Sequence, residues 1–331
     1  MNRSPVIKSV SVHLPEQIVD NISVINRINY DNPAIRNGAL ERLLSIKTRR
    51  YATATTQVSD MASAAALKII NQFPETEIDL LLFAAASSDL IEPATANIIQ
   101  SKLGLQCPVM DIKNACNSFV SAMEVASAFI ESGYYKNILI VNGEKLSEVI
   151  NFNPVDDSQL SRCLASYGLG DAAAAVLMGS GEGSEIVYQK FCSWGEYWKL
   201  CTVLGGGSLA FRDPEKYFFE SDSIELRNVF INKIPDFVNG CFEESGWKLD
   251  DIDCLITHQI SGATVKQIAE GLGIPLEKCV NTFDQYGNVA AATIPLALHN
   301  ALETGRLKKG DKLFILGLAA GISLSVQLVE W

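Results

Sequence analysis

The sequence predicts an α/β protein built as two repeated halves and stacked in five layers, α-β-α-β-α. Apolar strand-like runs alternate with helical patterns, and their order recurs at long range. The first copy opens on "IDLLLFAAASS" (78–88) and continues through "SKLGL", "NACNSFVSAMEVASAFIESG" and "KNILIVNGE". The second opens on "IDCLITHQISG" (252–262) and continues through "EGLGI", "YGNVAAATIPLALHNALETG" and "DKLFILGLAAG". Each copy reads strand, helix, strand, helix, strand. The glycines closing "ESG" and "ETG", Gly133 and Gly305, stand 172 positions apart, and the same offset sets Cys116 opposite Asn288. Residues 1–180 thus form one half and residues 181–331 the other. The small-residue runs "GDAAAAV" and "NVAAAT" suit close packing where the halves stack through their central helices.

Composition narrows the function. A chain of 331 residues, 48% hydrophobic and 20% charged, can bury an enzyme-sized core. Its net charge of -11 gives no nucleic-acid footprint, and "KTRR" and "RLKKGDK" offer only small basic groups that an acidic carrier protein could meet. The amino terminus has no apolar signal core and no segment has the length of a membrane span, so a cytoplasmic protein is expected. Eight cysteines without a C-x-x-C pair, beside three histidines, give no zinc pattern and read as reduced thiols.

Taken in chain order, the opening "SVSVHLPEQ" carries His13 in a turn. Cys116 sits where an apolar strand gives way to a helical pattern that Gly133 can end. A thiol at a helix start faces unpaired N–H groups and the positive end of the dipole, which favours thiolate; a small core residue is the plainer use of a free cysteine. The stretches 151–170 and 193–223 are weakly periodic, rich in aromatics and glycine, and read as loops and caps that shape a substrate channel. His258, in "CLITHQISG", stands at the carboxyl end of an apolar strand, where α/β proteins carry catalytic groups. Asn288 follows a glycine and reads either as a site residue or as a helix N-cap. His299 falls on a helix face. Together, Cys116, His258 and Asn288 compose a nucleophile with two polar groups able to stabilise an oxyanion or enolate.

With these residues in view the chain resembles the ketoacyl-ACP synthase III family of thiolase-fold condensing enzymes. The likeness runs nearly end to end, through "SVSVHLPEQIVDN", "NACNSF", "YGLGDAAAAVLM", "THQIS", "YGNVAAATIPLAL" and "LGLAAGISLSVQLVEW". It implies a thiolase-like fold, a homodimer, acyl thioester substrates on acyl carrier protein or coenzyme A, and no cofactor beyond the carrier thioester. It also implies that Cys116 accepts the acyl group, that His258 and Asn288 bind the second carbonyl, and that the backbone N–H groups of Cys116 and Ala320 form the oxyanion hole.

Two departures sharpen the reading. Fatty-acid-initiating members resemble "TRTGIRER" with a tryptophan upstream that contacts coenzyme A, whereas this chain has "ERLLSIKTRRY" and no nearby tryptophan. They also carry a large apolar residue where this chain has Glu92, 24 residues before Cys116. Glu92 resembles the glutamate of head-to-head condensing enzymes, including olefin-pathway and pyrone-forming relatives, which removes the α-proton of the second thioester across the dimer interface. A malonyl donor makes its enolate by losing carbon dioxide, but any other acyl thioester needs a base. Read without the family, Glu92 could equally serve as a salt bridge or a helix-start charge. The expected reaction is a non-decarboxylative Claisen condensation, with α-pyrone formation where the second chain bears a 3-keto group. Rival readings are a decarboxylative synthase using malonyl-ACP, an O-acyltransferase on the same fold, and an inactive partner subunit.

Overall fold

Alternate side chains of the apolar runs face opposite ways, and this alternation builds the layers. The computed structural model describes residues 3–33, 35 and 38–331. The first half runs β1 (Val6–His13), β2 (Gln17–Asp20), α1 (Asn21–Arg27), α2 (Ala39–Leu44), β3 (Thr48–Tyr51), α3 (Val58–Gln72), β4 (Leu80–Ala84) and α4 (Thr95–Leu103). It continues through β5 (Val109–Ile112), α5 (Ser118–Ser132), β6 (Asn137–Lys145), α6 (Asp157–Cys163) and β7 (Asp171–Gly179). The second half contains β8 (Ser184–Ser193), the short pair β9 (Cys201–Thr202) and β10 (Glu220–Ser221), α7 (Ser223–Ser245), β11 (Cys254–Thr257) and α8 (Gly262–Leu272). It ends with α9 (Phe283–Tyr286), α10 (Thr293–Glu303), β12 (Lys312–Ala319) and β13 (Ser323–Glu330).

The main strands bond in the order β11-β12-β13-β8-β1-β7-β6-β4-β5. Only two residue pairs join β1 to β8, Val6 with Glu185 and Ile7 with Ser184. On either side of this seam the order repeats: β8, β13, β12 and β11 stand for β1, β7, β6 and β4. The counterpart of β5 shrinks to a single bridge between Leu255 and Cys279.

Leu80, Leu82, Ile138 and Ile140 from one half-sheet, with Cys254, Ile256, Leu313 and Ile315 from the other, enclose α5 and α10 in one buried cluster. The opposite faces pack outward, Leu81 and Phe83 against α3 and α4, Phe314 and Leu316 against α7 and α8. The five layers follow. Gly133 caps α5 in the left-handed conformation and Gly305, at φ 66°, turns the chain just after α10, so the glycines 172 positions apart do equivalent work.

Three details differ from the sequence expectation. The stretch from residue 151 is not all loop: Asp156 accepts from the Gln159 N–H and starts α6, a helix too short to show periodicity. His13 ends β1 instead of lying in a turn. Nor is "KTRR" a basic surface patch, because Arg49 on β3 is fully buried, its guanidinium bonded to the Tyr167 carbonyl and the Asn21 side chain.

Phe119 lies in the cluster that both half-sheets share. Phe119→Ala is expected to cost about 3–5 kcal/mol, the usual range for emptying an aromatic site in a packed core, and to lower the urea midpoint without altering the folded far-UV spectrum. An unchanged midpoint would show that the central layer does not carry the stability assigned to it.

Candidate active site

Cys116, His258, Asn288 and Ala320 line one cavity of about 1040 Å³, large for a small-molecule site. Most of its remaining wall is apolar, including Leu44 from α2, Phe230 and Ile234 from α7, and Ile268 from α8.

Cys116 lies in a turn just before α5. Ala115, at φ 47°, takes a left-handed conformation that is strained for alanine. Ser118 secures the turn, its Oγ donating to the Ala115 carbonyl (2.7 Å) and accepting from the Asn114 N–H (2.8 Å). Asn117 ties the turn to the other half, its Nδ2 donating to Ser323 Oγ (2.9 Å). Burial, with Cys201 and Glu144 nearby, pushes the Cys116 thiol pKa up. The helix-start argument for a resting thiolate is therefore overturned: desolvation outweighs the dipole, and the resting group is a thiol.

His258 follows β11 and is buried; its backbone N–H donates to the Leu316 carbonyl (3.0 Å). Nδ1 has no hydrogen-bond partner among the described residues, and burial holds the imidazole pKa down to about 4, so the ring is neutral at physiological pH. Its neighbour Gln259 accepts at Oε1 from the N–H groups of Thr282 (2.9 Å) and Phe283 (3.0 Å), anchoring the chain that leads to Asn288.

Asn288 is reached through Gly287, at φ 71°, where a Cβ would strike the Gly168 carbonyl. Its backbone pairs with Gly168 and Gly170 at 2.9 and 3.0 Å. Asn288 is no N-cap, since α10 begins at Thr293; Oδ1 accepts from the Ala290 N–H (2.9 Å), which leaves the amide N–H groups as its donors at the cavity.

Glu92 does not join this group within one chain. It is exposed, in the loop between β4 and α4, and does not line the cavity. The loop is held at both ends: Asp89 accepts from the Ser59 N–H (3.1 Å), while Asp111 on β5 accepts from the N–H groups of Thr95 and Ala96 (both 2.9 Å). Glu92 thus sits beside β5, the last strand of the sheet, with Leu90 and Ile91 exposed next to it. His13 and His299 lie away from the cavity.

Sequence reasoning missed two features. Cys201 shares the cavity, but nothing in its irregular neighbourhood sets it apart. Glu144, next to last in β6, is fully buried; a carboxylate closing "NILIVNGE" was the available signal.

Comparison with known proteins agrees with this geometry. Residues 110–195 match the family described as 3-Oxoacyl-[acyl-carrier-protein (ACP)] synthase III, and residues 242–331 match its C-terminal part. The Beta-ketoacyl-[acyl-carrier-protein] synthase III of Staphylococcus saprophyticus is 30% identical over 98% of both chains. The chain belongs to this family. The Neisseria meningitidis serogroup C synthase III is 28% identical, again over 98% of both chains. Among solved structures, a variant of Xanthomonas campestris OleA superposes with a TM-score of 0.91 at 26% identity, covering 100% of this chain and 99% of that one. The synthase III of Aquifex aeolicus gives 0.86 at 26%, covering 99% and 100%. The chain is therefore a thiolase-fold ketosynthase, an acyltransferase-type enzyme that forms its product by condensation.

The depressed pKa of His258 fixes a pH dependence. Between pH 6.5 and about 4 the unfolded chain binds a proton that the folded chain excludes, so this contribution is complete above pH 6.5 and fades as pH falls. Between pH 7 and 5 the wild type should lose about 2 kcal/mol more stability than His258→Asn, measured by urea titration. Equal losses would mean that His258 is not held neutral.

Proposed function

We propose that the enzyme joins two acyl thioesters head to head, without decarboxylation, to give a β-keto product. The observation carrying this reading is the convergence of Cys116, His258 and Asn288 on one large apolar cavity, with Glu92 held outside it beside an open sheet edge.

In the first half-reaction Cys116 attacks a thioester carbonyl. Neutral His258 takes the thiol proton and returns it to the departing carrier thiolate, while the N–H groups of Cys116 and Ala320 receive the developing oxyanion. In the second, Glu92 of the partner subunit removes the α-proton of another acyl thioester. His258 and Asn288 donate hydrogen bonds to the enolate oxygen, the enolate carbon attacks the acyl-Cys116 carbonyl, the C–S bond breaks, and the leaving thiolate takes up a proton as Glu92 gives one back. A second chain bearing a 3-keto group would then close to an α-pyrone, an enol oxygen attacking the carrier thioester carbonyl and expelling the carrier thiol.

The need for a second copy rests on β5. Its edge is unpaired among the described residues and Met110 is exposed on it, so antiparallel pairing of two β5 strands would continue the sheet and bury Leu90 and Ile91. Acyl groups would arrive on acyl carrier protein or coenzyme A, the thioester meeting Arg162 and Arg227 at the cavity wall. A structure of an OleA variant contains bound lauric acid and lauroyl-CoA, which supports long acyl substrates here. Free cysteines and thioester substrates together favour a cytoplasmic enzyme.

The curated synthase III relatives support a second reading, decarboxylative condensation with malonyl-ACP. Intact-protein mass spectrometry with product analysis separates the two. Given two acyl thioesters and no malonyl donor, wild type should form condensed product, Cys116→Ala should take no acyl group, and Glu92→Gln should be acylated yet condense about 100-fold or more slowly. Product that requires malonyl-ACP, with Glu92→Gln unimpaired, would establish the decarboxylative reaction instead.

A further inference from the structure

Glu144 is 0% exposed, and it has no salt-bridge partner among the described residues. An unpaired buried carboxylate is costly unless several donors surround it. Here they do. Oε1 accepts from the N–H groups of Ala86 (2.8 Å) and Ala291 (3.3 Å), and Oε2 from the Ser87 N–H (3.0 Å). Two of these donors follow β4, at the head of the loop that carries Glu92. The third lies one residue beyond Ala290, whose own N–H fixes Asn288 Oδ1 and whose backbone is left-handed at φ 43°. One side chain thus fastens the strained turn behind the Asn288 amide to the nucleophile-bearing half.

Glutamine could not make the same set, because its amide NH2 would face one of these N–H donors. Aspartate would keep the charge but fall one methylene short of the span.

We infer that Glu144 is a positioning residue for condensation: through Ala291 and the Ala290 turn it sets the Asn288 amide for enolate binding. This rests on the proposed role of Asn288. Glu144→Asp shortens the reach to the N–H donors; Glu144→Gln keeps the length but turns an NH2 towards one of them.

The test follows acylation and condensation in wild type and both variants, with thermal melts alongside. Both variants should still acylate Cys116 but condense at least 10-fold more slowly, with KM within about 3-fold of wild type. If wild type itself does not condense acyl thioesters under either donor regime, the proposed function fails. If wild type condenses and the variants match it, only the assignment of Glu144 falls. Loss of a cooperative melt in both variants, or an equal fall in acylation and condensation, would make Glu144 a structural core residue and overturn the inference.

Discussion

The site depends on the burial of two helices between two half-sheets. Helices α5 and α10 are enclosed by apolar side chains of both along most of their length, and their first turns are buried. Their starts are therefore fixed with respect to one another, and the residue just before α5 and the residue approaching α10 face the same space. Cys116 and Asn288 meet because the repeat places them there. Asn117 to Ser323 and Glu144 to Ala291 tie one half to the other, and Gln259 holds the 282–283 backbone within the second.

Burial also sets the electrostatics. Dry surroundings penalise every charge, so the thiol of Cys116 keeps its proton and the imidazole of His258 stays without one. A neutral pair suits an apolar wall: an acyl chain can enter without stripping water from an ion. Charge then appears only as bonds rearrange, against N–H donors already in place. The helix dipole behind Cys116 is real but weaker than the loss of solvent, which is why a helix-start cysteine need not rest as thiolate.

What could be read from sequence follows from which signals are local. The two halves, their layers and the pairing of Cys116 with Asn288 were legible, because apolar alternation and a terminal glycine leave a trace in residue order. His258 was legible because a polar group at a buried strand end stands out. The cavity wall was not: Phe230 and Ile234 belong to the same apolar face of α7 that forms ordinary core, and only packing decides which residues border empty space. Arg49 looked like surface because a guanidinium is buried only where distant carbonyls accept it, and Tyr167 lies 118 positions away. Glu144 gave a visible sign, but its meaning lay in Ala86 and Ala291, which no spacing rule connects.

The same economy of buried charge explains why a base for the second half-reaction would come from outside the cavity. Glu144, buried in the interior but not on the cavity wall, is accommodated there by the N–H donors on its oxygens. A carboxylate left unpaired in that interior would be expelled or neutralised before a substrate arrived. A base must instead wait in water and reach the α-carbon when the pocket fills. Glu92, on an exposed loop braced by Asp89 and Asp111 at the sheet edge, meets that requirement if a second copy supplies the reach. Under the proposed function, separation of base from nucleophile along one chain then follows from the dryness of the site, and the edge strand would become part of the chemistry.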